Sequence, residues 1–195
     1  MTSLVCNRPQ EEELYSNRRP LGERLYVTEF VTPRTYLVEK LVPSLQSPVR
    51  KDMIHNCLDW VCRNIRYRSD RGDVWYSPAE AMHLGYGDCE ESSFIVCSLL
   101  RACGLFPDEI FVAVGNYGIA GHAWCVLLDS GKYWVLETTL SQAPVSIPEQ
   151  VPPYQPYILF NDVHAIELRK GFVLTKTHQK EKVEQIEEFY GIMVG

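Results

Sequence analysis

The sequence predicts an α+β protein with its helices first, an antiparallel sheet after them, and one helix packed centrally. Three observations predict this. Helix-start signals stand at Ser47-Pro48, Ser77-Pro78 and Asp88, each followed by apolar residues at helical spacing. Beyond Pro107 the pattern changes to short β-rich runs separated by turn residues. Between these two halves, the segment after Asp88 is apolar nearly all round, the mark of a helix buried on every side.

The elements follow in order. Residues 1–20 are polar and read as a loose arm; Arg24–Val31 reads as extended and Thr35–Leu41 as a helix. In Ser47-Pro48 the serine is the cap and proline takes the first helical position, so the spacing of Val49, Met53, Cys57, Leu58, Val61 and Ile65 predicts a helix over 48–65. Ser77-Pro78-Ala79-Glu80 is a capping box, and Gly85 ends the short helix it starts. Asp88 caps the third helix, with Glu91 three residues on, and Phe94, Ile95, Leu99 and Leu100 carry it to Gly104. Strands are expected at Ile110–Val114, Ala120–Asp129 and Lys132–Thr138, the last two joined by a turn at Asp129-Ser130-Gly131. Both faces of Ala120–Leu128 are largely apolar, so this hairpin is covered on both sides. Pro144–Pro156 reads as a long loop, Tyr157–Glu167 as a further strand and Lys176–Tyr190 as a charged helix.

Composition narrows the function. With 46% apolar and 23% charged residues, the 195-residue chain is an ordinary globular protein. A net charge of −6 argues against nucleic acid or an anionic membrane as partner. No apolar run reaches the ~18 residues of a membrane span, and the first residues lack the apolar centre of a secretory signal. The seven cysteines are scattered, and Cys57, Cys62, Cys97 and Cys103 fall inside apolar helical patterns. Reduced thiols in a cytoplasmic protein are therefore expected. No C-x-x-C pair occurs, so neither a metal site nor a cofactor is expected.

Cys89 differs from the other cysteines. It follows the Gly87-Asp88 turn at the start of its helix, where unpaired N–H groups and the positive end of the helix dipole favour a thiolate. The acidic neighbours Asp88, Glu90 and Glu91 oppose this unless they turn away as caps. His122 heads an apolar strand, and Glu137 ends the next one, where a carboxylate needs a partner to offset its desolvation. If Ser130-Gly131 is a two-residue turn, Asp129 pairs with Lys132; a four-residue loop pairing Leu128 with Tyr133 gives the same register, whereas an odd-length loop would put His122 and Glu137 on opposite faces. In the shared register His122 lies opposite Thr139, with Glu137 as its same-face diagonal neighbour. Cys89, His122 and Glu137 thus make a candidate catalytic triad.

Several stretches together resemble a family. Gly87-Asp88-Cys89-Glu90, Leu99–Gly104, Gly121-His122-Ala123-Trp124 and Tyr133–Thr139 are similar to the transglutaminase-like domain, a branch of the papain-type cysteine-enzyme superfamily. Trp60–Tyr67 and Trp75–Glu80 resemble the lead-in helices of its bacterial and archaeal members, and the likeness spans about 48–140. The resemblance implies a papain/transglutaminase-like core, with Cys89 as nucleophile, His122 as general base and acid, and Glu137 as the orienting group. The family usually has aspartate at the position of Glu137. Related enzymes often draw an oxyanion donor from an upstream Gln or Trp; Trp75 and Tyr76 occupy that neighbourhood here, and the Cys89 backbone N–H is the preferred donor. The implied organisation is an N-terminal arm with lead-in elements (1–46), a catalytic domain (47–175) and a C-terminal helix (176–195). The implied activity is acyl chemistry on the amide or ester carbonyl of a protein or peptide, with hydrolysis favoured over cross-linking. The other function this fold supports is a non-catalytic protein- or peptide-binding module.

Overall fold

The computed structural model describes residues 27–69, 74–139, 145–146 and 154–168. The expected arm at 1–20 and the helix at Lys176–Tyr190 lie outside these residues. Four helices come first or between short strands: α1 (Tyr36–Leu45), α2 (Arg50–Asn64), α3 (Pro78–Leu84) and α4 (Cys89–Ala102). The strands are β1 (Arg66–Tyr67), β2 (Tyr86–Gly87), β3 (Ile110–Tyr117), β4 (Ala120–Asp129), β5 (Lys132–Leu136), β6 (Val145–Ser146), β7 (Tyr154–Phe160) and β8 (Ala165–Glu167). β1 and β2 pair in parallel; the other six form an antiparallel sheet in the order β6-β5-β4-β3-β7-β8. The α+β expectation holds. Among the described residues no helix is long and apolar enough to cross a membrane.

The helix starts follow the sequence signals, with one shift. Ser77 and Glu80 exchange the two hydrogen bonds of a capping box, and Gly85 closes α3 in the left-handed conformation at φ 69°. Asp88 and Glu91 form a second box at the head of α4. At α2 the helix begins at Arg50, not Pro48, because the Ser47 hydroxyl accepts from Val49 N and holds 47–49 as a turn. Helix α1 runs on to Leu45, past the expected end and through Pro43. So late in the helix, the missing N–H costs one hydrogen bond and breaks nothing downstream.

The extended stretch expected at Arg24–Val31 is a 3₁₀ helix over Val27–Phe30 within the described residues. Its neighbours Phe30 and Val31 are both buried, which strand alternation does not allow on a single covered face. Phe30 packs instead against Trp75 and Phe94, with ring centroids 5.2 Å away in each case. β5 stops at Leu136, so Glu137–Thr139 leave the ladder. The segment read as one strand at Tyr157–Glu167 is the β7–β8 hairpin, which begins three residues earlier, inside the expected loop.

The sheet is covered on both faces, as the apolar β4 requires. Cys125 and Leu127 point toward α4 and the main core, whereas Trp124 and Val126 join Phe111, Tyr133, Val135 and Tyr154 on the opposite face. Helix α4 is buried along its length from Glu91 to Leu100, with Phe94, Ile95, Leu99 and Leu100 fully enclosed. That burial fixes the helix, and with it the position of Cys89.

Candidate active site

Cys89 is the first residue of α4, and His122 lies two residues beyond the β3–β4 turn, where Gly118 takes φ 63°. The hairpin register is the expected one: Asp129 pairs with Lys132, and Ser130 and Gly131 both have positive φ, the geometry of a type I′ turn. Continued past the ladder, that register sets Glu137 diagonally from His122. The carboxylate completes the contact: Glu137 Oε2 lies 3.0 Å from His122 Nε2.

Glu137 is 7% exposed and accepts on both oxygens. Oε1 takes the N–H groups of Thr138 and Thr139 and the Thr139 hydroxyl; Oε2 takes the Tyr154 hydroxyl at 3.2 Å. Burial acts to raise this carboxyl, but the hydrogen bonds from His122 and Thr139 and the His122 charge outweigh it. The group sits below the ordinary carboxylate value. An ionised Glu137 accepts only, so His122 donates to it from Nε2, and in the neutral ring the lone pair then lies on Nδ1.

Ser93, one turn into α4, braces the helix start against this corner. Its hydroxyl donates to the Cys89 carbonyl at 2.7 Å and meets Thr138 Oγ1 at 3.0 Å, so Thr138 is the donor in that second bond. Ala123, the residue after His122, offers its backbone N–H toward the Cys89 sulfur. The structure thus brings His122 and Glu137 into direct contact and sets Cys89 beside the same strand. The thiol itself is turned elsewhere: Cys89 Sγ donates to Glu90 Oε2 at 2.9 Å and makes no hydrogen bond to His122.

The lowered thiol expected from the helix start is therefore reversed. Burial pushes the Cys89 thiol well up, and the Glu90 carboxylate adds to it, against the smaller opposing effect of the Ala123 N–H. Glu91 turns away as a cap, accepting from Asp88 N and Tyr76 N at 2.9 Å each. Glu90 does not turn away. Its own carboxyl is pushed up to about 8 by burial and by Asp88. Asp88, Cys89 and Glu90 bring their potential ligand atoms within 4.8 Å of one another.

A sequence model of the transglutaminase-like superfamily matches residues 36–136. The chain belongs to the transglutaminase-like superfamily. Comparison with curated proteins finds no match. Among solved structures, Legionella pneumophila LapG is similar at 19% identity and a TM-score of 0.57, over 74% of this chain and 81% of that one. The EGTA-treated LapG gives 16% and 0.58 over 85% and 91%, and the calcium-bound LapG gives 18% and 0.56 over 75% and 87%. These likenesses are likenesses of fold.

Within this transglutaminase-like frame, the two upstream aromatics are occupied differently. The Trp75 ring packs in the core against Phe30, Phe94 and Phe160. Tyr76 meets α4 through its backbone N–H on Glu91. The Cys89 N–H, in contrast, has no acceptor among the described residues, while the N–H groups of Asp88 and Glu90 are both engaged. Two residues had no assigned role from the sequence. Tyr67 is exposed and pairs with Gly87 in the β1–β2 register. Tyr154 is buried, with ring centroids 4.9 Å from those of Tyr117 and Trp124 and 6.5 Å from that of His122. Burial and then the Glu137 charge raise its phenol and keep it a donor. Tyr154 sits in a Pro-rich stretch that reads as loop, and no sequence signal marks it.

Proposed function

We propose that this protein carries out cysteine-dependent acyl chemistry on a protein or peptide amide, with Cys89 as nucleophile, His122 as base and acid, and Glu137 as the orienting carboxylate. The observation that carries the reading is the His122 Nε2–Glu137 Oε2 contact at 3.0 Å beside the helix start that holds Cys89. In this reading the thiol leaves Glu90, gives its proton to His122 Nδ1 and attacks the substrate carbonyl carbon. The resulting oxyanion is held by the Cys89 N–H at the positive end of α4. His122 then protonates the leaving amine, and a thioester to Cys89 remains. Water drawn onto the thioester by His122 gives hydrolysis; an amine in its place gives transfer. Hydrolysis is the favoured outcome.

The test is to incubate the protein and its Cys89→Ala variant with unfolded casein and dansylcadaverine. New peptide termini indicate hydrolysis, and fluorescent casein indicates transfer, either one lost in the variant. Capture of intact casein with no new termini or label, equal in both proteins, supports the binding-module alternative and sinks the enzyme.

Calcium bears on the same acids. One of the similar structures is of calcium-bound LapG, and Asp88 and Glu90 are the hard oxygen donors this ion takes. Burial first, and the neighbouring Asp88 carboxylate after it, raise the Glu90 carboxyl. Held by Asp88 and Glu90, calcium would supply positive charge beside the nucleophile. The Glu90 carboxylate would then be engaged away from the thiol.

A further inference from the structure

Two thiols face each other away from the candidate site. Cys57 lies within α2 and is fully buried; Cys103 caps the C-terminal end of α4 and is half-buried. Their sulfurs are 4.0 Å apart, and no other pair of cysteine sulfurs lies within hydrogen-bonding reach among the described residues. Other buried cysteines differ: Cys125 gives its thiol to the Ser93 carbonyl, and Cys97 is sealed inside α4. Closing from 4.0 Å to a bond of about 2.05 Å asks the two sulfurs to approach by about 2 Å. Cys103 is the more compliant partner, because the chain leaves the helix there and passes into Gly104 at φ 105°.

We propose that Cys57 and Cys103 are a reversible disulfide-forming site, oxidised by a peroxide. The half-exposed Cys103 sulfur attacks one peroxide oxygen; the O–O bond breaks, a sulfenic acid forms and one water leaves. The Cys57 sulfur then attacks the sulfenic sulfur, the S–S bond forms and the hydroxyl departs as the second water. Two thiols lose two electrons and two protons, and the peroxide is reduced to two waters. Burial of Cys57 suits the resolving role, since only a sulfur already in contact with it is within its reach. Donation from the Cys57 thiol lowers the Cys103 thiol, which supports Cys103 as the first to react. The bond would join α2 to the far end of the helix that begins at Cys89, across 46 residues of sequence. This inference does not rest on the proposed catalytic function.

The experiment uses the full chain, treated with hydrogen peroxide, then blocked with N-ethylmaleimide under denaturing conditions and digested without reductant. Mass mapping should find a linked pair of peptides lighter by two hydrogens, with fragmentation assigning the bond to Cys57 and Cys103 rather than Cys62 or Cys125. Dithiothreitol should abolish it, and Cys103→Ser should lack it. The oxidised protein should melt at least ~5 °C higher than the reduced one. Recovery of both Cys57 and Cys103 as maleimide adducts would overturn the proposal. So would a terminal sulfinic acid on Cys103, or a disulfide between any other pair.

Discussion

Replacing Glu137 with glutamine isolates what the carboxylate does for His122 without emptying its site. The amide oxygen can still accept from Thr138 N, Thr139 N and the Thr139 hydroxyl, as Glu137 Oε1 does now. The amide nitrogen then replaces Oε2, which at present accepts from His122 Nε2 and from the Tyr154 hydroxyl. Both bonds must reverse. Tyr154 can turn its hydroxyl and accept, but His122 can accept at Nε2 only by moving its proton to Nδ1. That tautomer has no lone pair to offer the thiol. The expected stability loss is about 1–3 kcal/mol, since the charge-assisted bonds to the carboxylate become neutral ones while packing is kept. The functional loss is far larger, about 10²–10⁴-fold, the range of general-base catalysis. Nitrogen-15 NMR of labelled histidine reads the tautomer directly: Nε2–H in the native protein and Nδ1–H in the variant. Linkage gives a second reading. The Glu137 carboxyl is lowered on folding, so its stabilisation is present above the unfolded value of ~4.3 and is lost as pH falls through the lower folded value. The melting-temperature gap between the native protein and the variant should therefore close below about pH 4. An unchanged tautomer with reactivity retained within a few-fold would refute the reasoning.

Three further outcomes follow from the same contacts. Glu90→Gln should speed alkylation of Cys89 by about tenfold above pH 8, where the Glu90 carboxyl is ionised in the native protein and its charge holds the thiol up. Its stability should exceed the native protein's by a margin that grows between 4.5 and about 8, since the raised Glu90 carboxyl stabilises only while protonated and that contribution is lost as pH rises through the folded value. Calcium should speed alkylation of the native protein relative to EGTA and leave Glu90→Gln less affected; equal rates in calcium and EGTA would remove the cation from the account. Tyr154→Phe should cost about 1.5–3 kcal/mol in urea denaturation, the worth of a hydrogen bond to a charged group, and should slow the Cys89 reaction while leaving the fold intact.

Much of this site was legible because local rules fixed it. The serine and aspartate caps, paired with Glu80 and Glu91, set the starts of α3 and α4. The two-residue turn at Ser130-Gly131 then set the register that places Glu137 near His122. What escaped was set by long-range packing. Tyr154 reaches Glu137 because β7 pairs with β3, at a register break where Gly115 lets the Gln155 carbonyl approach too closely for any side chain. The 3₁₀ helix at Val27–Phe30 is dictated by the aromatic core that Phe30 enters, which local propensity does not encode. The sense of the Cys89 shift escaped as well. A helix start favours a thiolate, but the burial of Cys89 and the direction of the Glu90 side chain decide the sign, and both belong to the folded protein.

The central claim is that Cys89 becomes a nucleophile through His122. The direct measurement is the rate of Cys89 alkylation by iodoacetamide from pH 5 to 9, followed by peptide mass, in the native protein and in His122→Ala. An ordinary thiol with a value near ~8.5 is only about 0.3% thiolate at pH 6. The account predicts that the native Cys89 reacts at pH 6 at least about tenfold faster than in His122→Ala, as an imidazole that takes up the thiol proton requires. Equal rates in the two proteins across the whole range would contradict it.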